Sequence, residues 1–180
     1  MVPESEGISS EKLTQMLREL AAARHTDMHH LLVLRNGHVI CECNFAPYRS
    51  GIWHATYSMC KSITGMAAGF LISEGKLSLD ENVYDIFEKR NGLLQKILRP
   101  NLTVKHLLTM KSGVQFNEMG VVSGNDWVDS FLNAPVKGTP GEAFEYNSMN
   151  TYLLSAIIQE RTGMKMVDYP VSYTHLRAHE

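Results

Sequence analysis

The dipeptide Asn36-Gly37 constrains the fold of this chain more tightly than any other feature. It stands between two β-prone runs, residues 31–35 and 38–43. A two-residue hairpin turn needs positive φ at both central positions, and Asn and Gly adopt it at the least steric cost. A hairpin is therefore expected here, and its surroundings read as helix. Upstream, Leu13, Met16, Leu17, Leu20 and Ala21 form one apolar stripe within residues 9–24, with Ser9 or Ser10 placed to cap the first turn. Downstream, residues 44–57 carry Pro47 and Gly51 and read as a loop. Residues 58–74 then return to helical periodicity, with Ile63, Met66, Ala67, Phe70 and Leu71 as the expected buried stripe and Gly75 past the end. Short helices are expected over 80–87 and 103–111, the second with Thr103 as N-cap. Residues 112–145 are loop-rich, and a further helix runs through Tyr152, Leu153, Ala156 and Ile157 to Gly163. One helix, one hairpin and a run of helices fit an α+β or α/β layered fold whose sheet is incomplete within these residues.

Bulk properties narrow the function classes. A net charge of −2 over 180 residues gives no electrostatic footprint for nucleic acid. No apolar run reaches the roughly 20 residues of a membrane-spanning helix. The polar, acidic start is unlike a signal peptide. Cys41, Cys43 and Cys60 cannot all pair with one another, so reduced thiols and a cytoplasmic location are expected. His25, His29, His30, His38, His54 and His106 lack ligand spacing with Cys or carboxylates, so no metal and no cofactor are expected. Asp126 and Asp129 flank Trp127 and read as solvated charges. Asn101-Leu102-Thr103 fits a glycosylation triplet, which requires secretion to matter.

Ser-x-x-Lys occurs three times, and context separates the copies. Ser9 with Lys12 opens a polar helix and reads as a cap. Ser73 with Lys76 sits at a helix C-terminus, where the macrodipole favours a charged lysine. Ser58 with Lys61 opens an apolar helix, with both side chains on one face at i, i+3. Burial and the positive end of the dipole both push Lys61 toward the neutral form that a general base needs. From spacing alone two readings stand: a nucleophile with its base, or a helix cap beside a lysine that reaches for solvent. Cys60, at i+2 from Ser58, is expected to point away from that face as a buried thiol.

Four segments, in order, carry a family resemblance. Tyr57-Ser58-Met59-Cys60-Lys61-Ser62-Ile63-Thr64, Gly75-Lys76-Leu77-Ser78-Leu79-Asp80, residues 102–113, and Pro140-Gly141-Glu142-Ala143-Phe144-Glu145-Tyr146-Asn147-Ser148 resemble the motifs of the β-lactamase-related, penicillin-recognising serine hydrolases. The resemblance runs from about Pro3 to Asp168. It implies an α+β fold of the β-lactamase/transpeptidase-like kind, an α/β sandwich with a helical subdomain, and an acyl-enzyme formed on a small-molecule amide or ester, as in esterases, amidases or D-Ala-D-Ala carboxypeptidases. It implies Ser58 as nucleophile, Lys61 and Tyr146 as its catalytic partners, and Ser148 as a substrate-binding residue. Ser148 stands where the family pattern Tyr-x-Asn has an amide, and Asn147 takes the middle position. That departure keeps a silent binding or sensor module open as the alternative.

The last ten residues, 171–180, match one translated frame of a transposase-based sequencing adaptor and are read as a non-native tail on a hydrolase portion, residues 1–170. His175 and His179 then carry no metal-site meaning. The family's Lys/His-x-Gly strand, which supplies the second oxyanion donor, is expected beyond Pro170. On that reading the chain as it stands is an inactive fragment whose tail packs against nothing.

Overall fold

The computed structural model describes residues 2–90, 99–116 and 125–172. Most of the tail, from residue 173 onward, lies outside the described residues; Val171 and Ser172 complete a short helix. The chain divides into two compact units between Ala55 and Thr56.

In the first unit, α1 (Ser10–Ala22) is capped as expected, with the Lys12 N–H donating to Ser9 Oγ at 3.3 Å. Of its stripe, Leu13, Met16, Leu17 and Leu20 are half-buried and Ala21 is exposed, and no residue of α1 is fully buried. Strands β1 (His30–Arg35) and β2 (His38–Asn44) pair antiparallel. Arg35 faces His38, leaving Asn36 and Gly37 as a two-residue turn with φ of 50° and 79°, the paired positive values of a type I′ hairpin. The register jumps between Val33 and Leu34, so Ile40 is the extra residue of a bulge. Ile40 is the buried residue of this sheet, at 7% exposure. The sheet has two strands among the described residues.

The second unit is helical. Among the described residues its α-helices are α2 (Cys60–Ser73), α3 (Val83–Ile86), α4 (Val104–Leu108), α5 (Trp127–Asn133), α6 (Ser148–Thr162) and α7 (Tyr169–Ser172). Helix α6 is central, with α2, α4 and α5 packed on it. Leu71, Leu107, Phe131, Leu153 and Ile157 are buried without measurable exposure. The buried face of α2 differs from the expected stripe. It is Thr64, Ala67, Ala68 and Leu71, while Ile63 and Met66 are exposed at 37% and 47%. Thr64 tolerates burial because its hydroxyl donates to the Cys60 carbonyl at 3.0 Å. The helix itself starts at Cys60, later than residue 58. The helices expected over 80–87 and 103–111 are shorter, confined to α3 and α4, with Asn82 and Thr103 as N-caps.

Two buried side chains tie the loops to α6. Ser112 Oγ donates to Asn150 Oδ1 at 2.7 Å, both inside the core. Asn147 does more. Its Oδ1 accepts the Met149 N–H at 2.9 Å and caps α6, while its Nδ2 donates to the Val114 and Phe116 carbonyls at 3.1 and 3.0 Å. Replacing it removes a cap and strips two carbonyls of a donor. Asn147→Ala is expected to destabilise the second unit by about 2–4 kcal/mol, read as a lowered urea midpoint; a change below about 0.5 kcal/mol would show the cap to be dispensable.

Candidate active site

Ser58 lies on a single 3-10 turn, Tyr57–Met59, that leads into α2. The turn is entered through Tyr57 at φ 43°, a left-handed conformation that a bulky side chain adopts only under constraint from its surroundings. Ser58 is exposed and makes no side-chain cap bond; the N-cap position of α2 is Met59. Lys61 follows in the first turn of α2, half-buried, and its Nζ donates to Ser58 Oγ at 3.2 Å.

Tyr146 reaches the same point from 88 residues away, and its Oη lies 2.8 Å from Ser58 Oγ. Its loop is pinned to the end of α4: the Gly141 N–H donates to the Lys111 carbonyl at 2.8 Å and the Glu145 N–H to the Met110 carbonyl at 2.9 Å. Gly141 has φ 97°, and a Cβ there would stand 2.8 Å from His106 Nε2, so only glycine lets the loop lie this close. Lys61 Nζ also stands 5.1 Å from the centroid of the Tyr146 ring. The phenol is held below the usual tyrosine value, chiefly by hydrogen bonding from Lys61, then from Ser58. Slight burial opposes this, and Ser148 and the Lys61 charge add to it. A serine hydroxyl, a lysine side chain and a phenol held below its usual value thus lie within one hydrogen-bonded group.

Ser148 is the first residue of α6, half-buried, and hydrogen-bonds toward the phenol. Asn147 is turned into the core and has spent its amide on the cap and two carbonyls, so it does not offer that amide to the site. Its capping role was missed in the sequence, although an Asn directly before a periodic run is the signal for it. One further expectation is corrected: Cys60 is exposed rather than buried, because it is the first residue of α2 and precedes the packed turns. Asp126 and Asp129 are exposed, as expected, and Asp126 also caps α5: it accepts the Asp129 N–H at 3.0 Å, and that bond, then Arg90, keeps its carboxyl below the usual range.

Among the described residues no group of three or more His, Cys, Asp or Glu side chains is placed to hold a metal, and no helix is long and apolar enough to cross a membrane. A cavity of about 630 Å³ beside Arg99, Pro100 and Asn133 touches none of the four site residues. A smaller one, about 360 Å³, has Lys61 and Ser148 in its wall.

Known proteins are similar to this chain in sequence or in fold. Protein flp of Staphylococcus aureus is 32% identical over 136 residues, 66% of this chain and 26% of its own length. Esterase EstB of Burkholderia gladioli is 26% identical over 138 residues, 67% of this chain and 35% of its own length. The chain thus spans about a quarter to a third of these curated relatives. The D-amino acid amidase of Ochrobactrum anthropi SV3, solved with L-phenylalanine amide, superposes with a TM-score of 0.56 at 22% identity, covering 79% of this chain and 47% of the amidase, a likeness of fold. The beta-lactamase family model matches residues 13–171, a stretch that takes in Ser58, Lys61, Tyr146 and the helices that hold them, and the chain therefore belongs to the beta-lactamase family of serine hydrolases.

Proposed function

We propose that this chain carries the nucleophile half of an acyl-transferring hydrolase acting on a small ester or amide. One observation supports the reading above all others: Ser58 Oγ has Tyr146 Oη at 2.8 Å and Lys61 Nζ at 3.2 Å. A serine hydroxyl is a weak nucleophile until a base takes its proton. Tyr146, as phenolate, accepts that proton while Ser58 Oγ bonds to the substrate carbonyl carbon. The carbonyl electrons move onto oxygen, and the Ser58 N–H, at the start of a helical run, donates to the oxyanion. Collapse breaks the C–O or C–N bond as the Tyr146 phenol returns its proton to the leaving alkoxide or amine. Water then attacks the acyl-enzyme, its proton passing to Tyr146 and on to Ser58. Lys61, with its Nζ 3.2 Å from Ser58 Oγ and beside the Tyr146 ring, steadies the phenolate, with the positive ends of α2 and α6 adding to it.

The esterase and amidase relatives favour an ester or simple amide, and membership in the family admits a β-lactam. A silent, penicillin-binding-like module is favoured by one feature, the hydroxyl of Ser148 where the family pattern has an amide.

Covalent labelling of Ser58 by a fluorophosphonate probe separates the two. Ser58→Ala is expected to abolish labelling and to change stability by less than about 0.5 kcal/mol, because Ser58 is exposed and caps nothing. Labelling that persists in Ser58→Ala would move the nucleophile elsewhere. Tyr146→Phe is expected to slow acylation about 10²–10⁴-fold with unchanged melting. Acylation rises with pH as the phenol ionises, centred below the usual tyrosine value, and Lys61→Met should move that rise to higher pH. A profile that Lys61→Met leaves in place would separate Lys61 from the phenol's ionisation.

A further inference from the structure

A second cluster of titratable side chains lies wholly within the first unit. Asp27 and His29 precede β1, and Tyr48 and His54 follow β2. His29 Nε2 stands 3.2 Å from Asp27 Oδ2, and His29 Nδ1 stands 3.0 Å from His54 Nδ1. The Tyr48 hydroxyl donates to the same Asp27 oxygen at 3.3 Å, and its ring stacks on that of His29 with centroids 3.6 Å apart. Desolvation, then the Asp27 charge, pushes the Tyr48 phenol up, so it remains a donor.

These contacts fix where the ring protons sit. A carboxylate only accepts, so the His29 nitrogen that faces Asp27 carries a proton. A neutral imidazole carries one proton, so His29 Nδ1 is bare and accepts. The facing Nδ1 of His54 is then the donor, and His54 Nε2 keeps a bare lone pair on an exposed residue. Holding one ring N–H with an acceptor orients an imidazole and makes its other nitrogen a stronger electron donor. Trp53, next in the chain, is 98% exposed and offers an aromatic face.

We propose that His54 is a second acyl acceptor, besides Ser58, whose Nε2 takes acyl groups from aryl esters and similarly activated acyl donors. The Nε2 lone pair bonds to the carbonyl carbon, and the bond to the leaving group breaks with its electrons going to the leaving oxygen. The acylated ring gives its Nδ1 proton to His29 Nδ1 across the 3.0 Å contact. His29 becomes an imidazolium beside the Asp27 carboxylate, and His54 is left as a neutral acyl-imidazole. When water cleaves it, His29 returns the proton to His54 Nδ1, and the acid leaves with the proton of water. Asp27 and His29 are positioning residues, since they act only through His54.

The test uses the full chain carrying Ser58→Ala and diethyl pyrocarbonate as the acyl donor, with the adduct on each histidine followed by mass spectrometry. His54 should react on the order of tenfold faster than His25, an exposed histidine of the same unit with no such chain behind it. The Asp27 side chain is 78% exposed, so Asp27→Asn leaves the fold intact. Asp27→Asn and His29→Phe should each bring His54 down to the rate of His25, whereas Tyr48→Phe, which keeps the stacked ring, should not. A spectroscopic readout separates positioning from mere structure: the ¹⁵N resonances of the His54 ring should place its proton on Nδ1, and Asp27→Asn should shift it toward Nε2. Equal rates for His54 and His25, an advantage that survives both Asp27→Asn and His29→Phe, or a proton resident on His54 Nε2 would each overturn the assignment.

Discussion

The packing of α2 on α6 is the constraint on which the second unit depends. Ala67 and Ala68, both without measurable exposure, present small side chains to that contact, while Leu71, Leu153 and Ile157 fill the core around it. Small residues at a helix contact let backbones approach, and close approach brings the ends of the helices into register. Here the ends that meet are both N-termini. Ser58 and Lys61 lie at the start of one helix, Tyr146 and Ser148 at the start of the other. The chemistry proposed for the site develops negative charge on a phenol oxygen and then on a carbonyl oxygen. Both fall where two sets of aligned peptide dipoles present their positive ends.

How much of this was legible in the sequence depended on how local each feature was. The Asn36-Gly37 hairpin is decided by two residues and their φ values, and it formed as read. So did the Ser9 cap and the pairing of Ser58 with Lys61, since both are set within one helical turn. The buried face of α2 was less accessible. Ile63 and Met66 are more apolar than Thr64, so a hydrophobic count favours the wrong edge of the stripe. The structure prefers Thr64 because its hydroxyl is satisfied within the helix and its bulk suits a close contact. The bulge that buries Ile40 left no mark at all, because register is settled by pairing across strands.

Tyr146 marks the opposite case. Nothing in its neighbourhood distinguishes it from other tyrosines of the chain, and its partner is 88 residues distant. Only the likeness of four ordered segments to one family brought it to Ser58. The structure supplies the physical reasons for some of those segments. Gly141 is required by the His106 ring, Ser112 by Asn150, and Asn147 by the cap of α6. These residues fasten the loops between which the site lies, and none of them belongs to the hydrogen-bonded group formed by Ser58, Lys61 and Tyr146.

That division of labour bears on how the protein fails. Ser58 and Tyr146 sit on separate segments, the turn before α2 and the loop before α6, and that loop is held by three backbone and side-chain anchors near Met110, Lys111 and Asn147. Local opening of so small a segment takes less free energy than global unfolding. On warming, the loop can therefore let go of α4 while α2 and α6 stay packed. Such a molecule keeps its helical circular dichroism and its buried core but has parted Tyr146 from Ser58. Loss of the site's geometry and loss of the fold are then separate events, the first governed by a fastening of a few residues and the second by the whole hydrophobic interior.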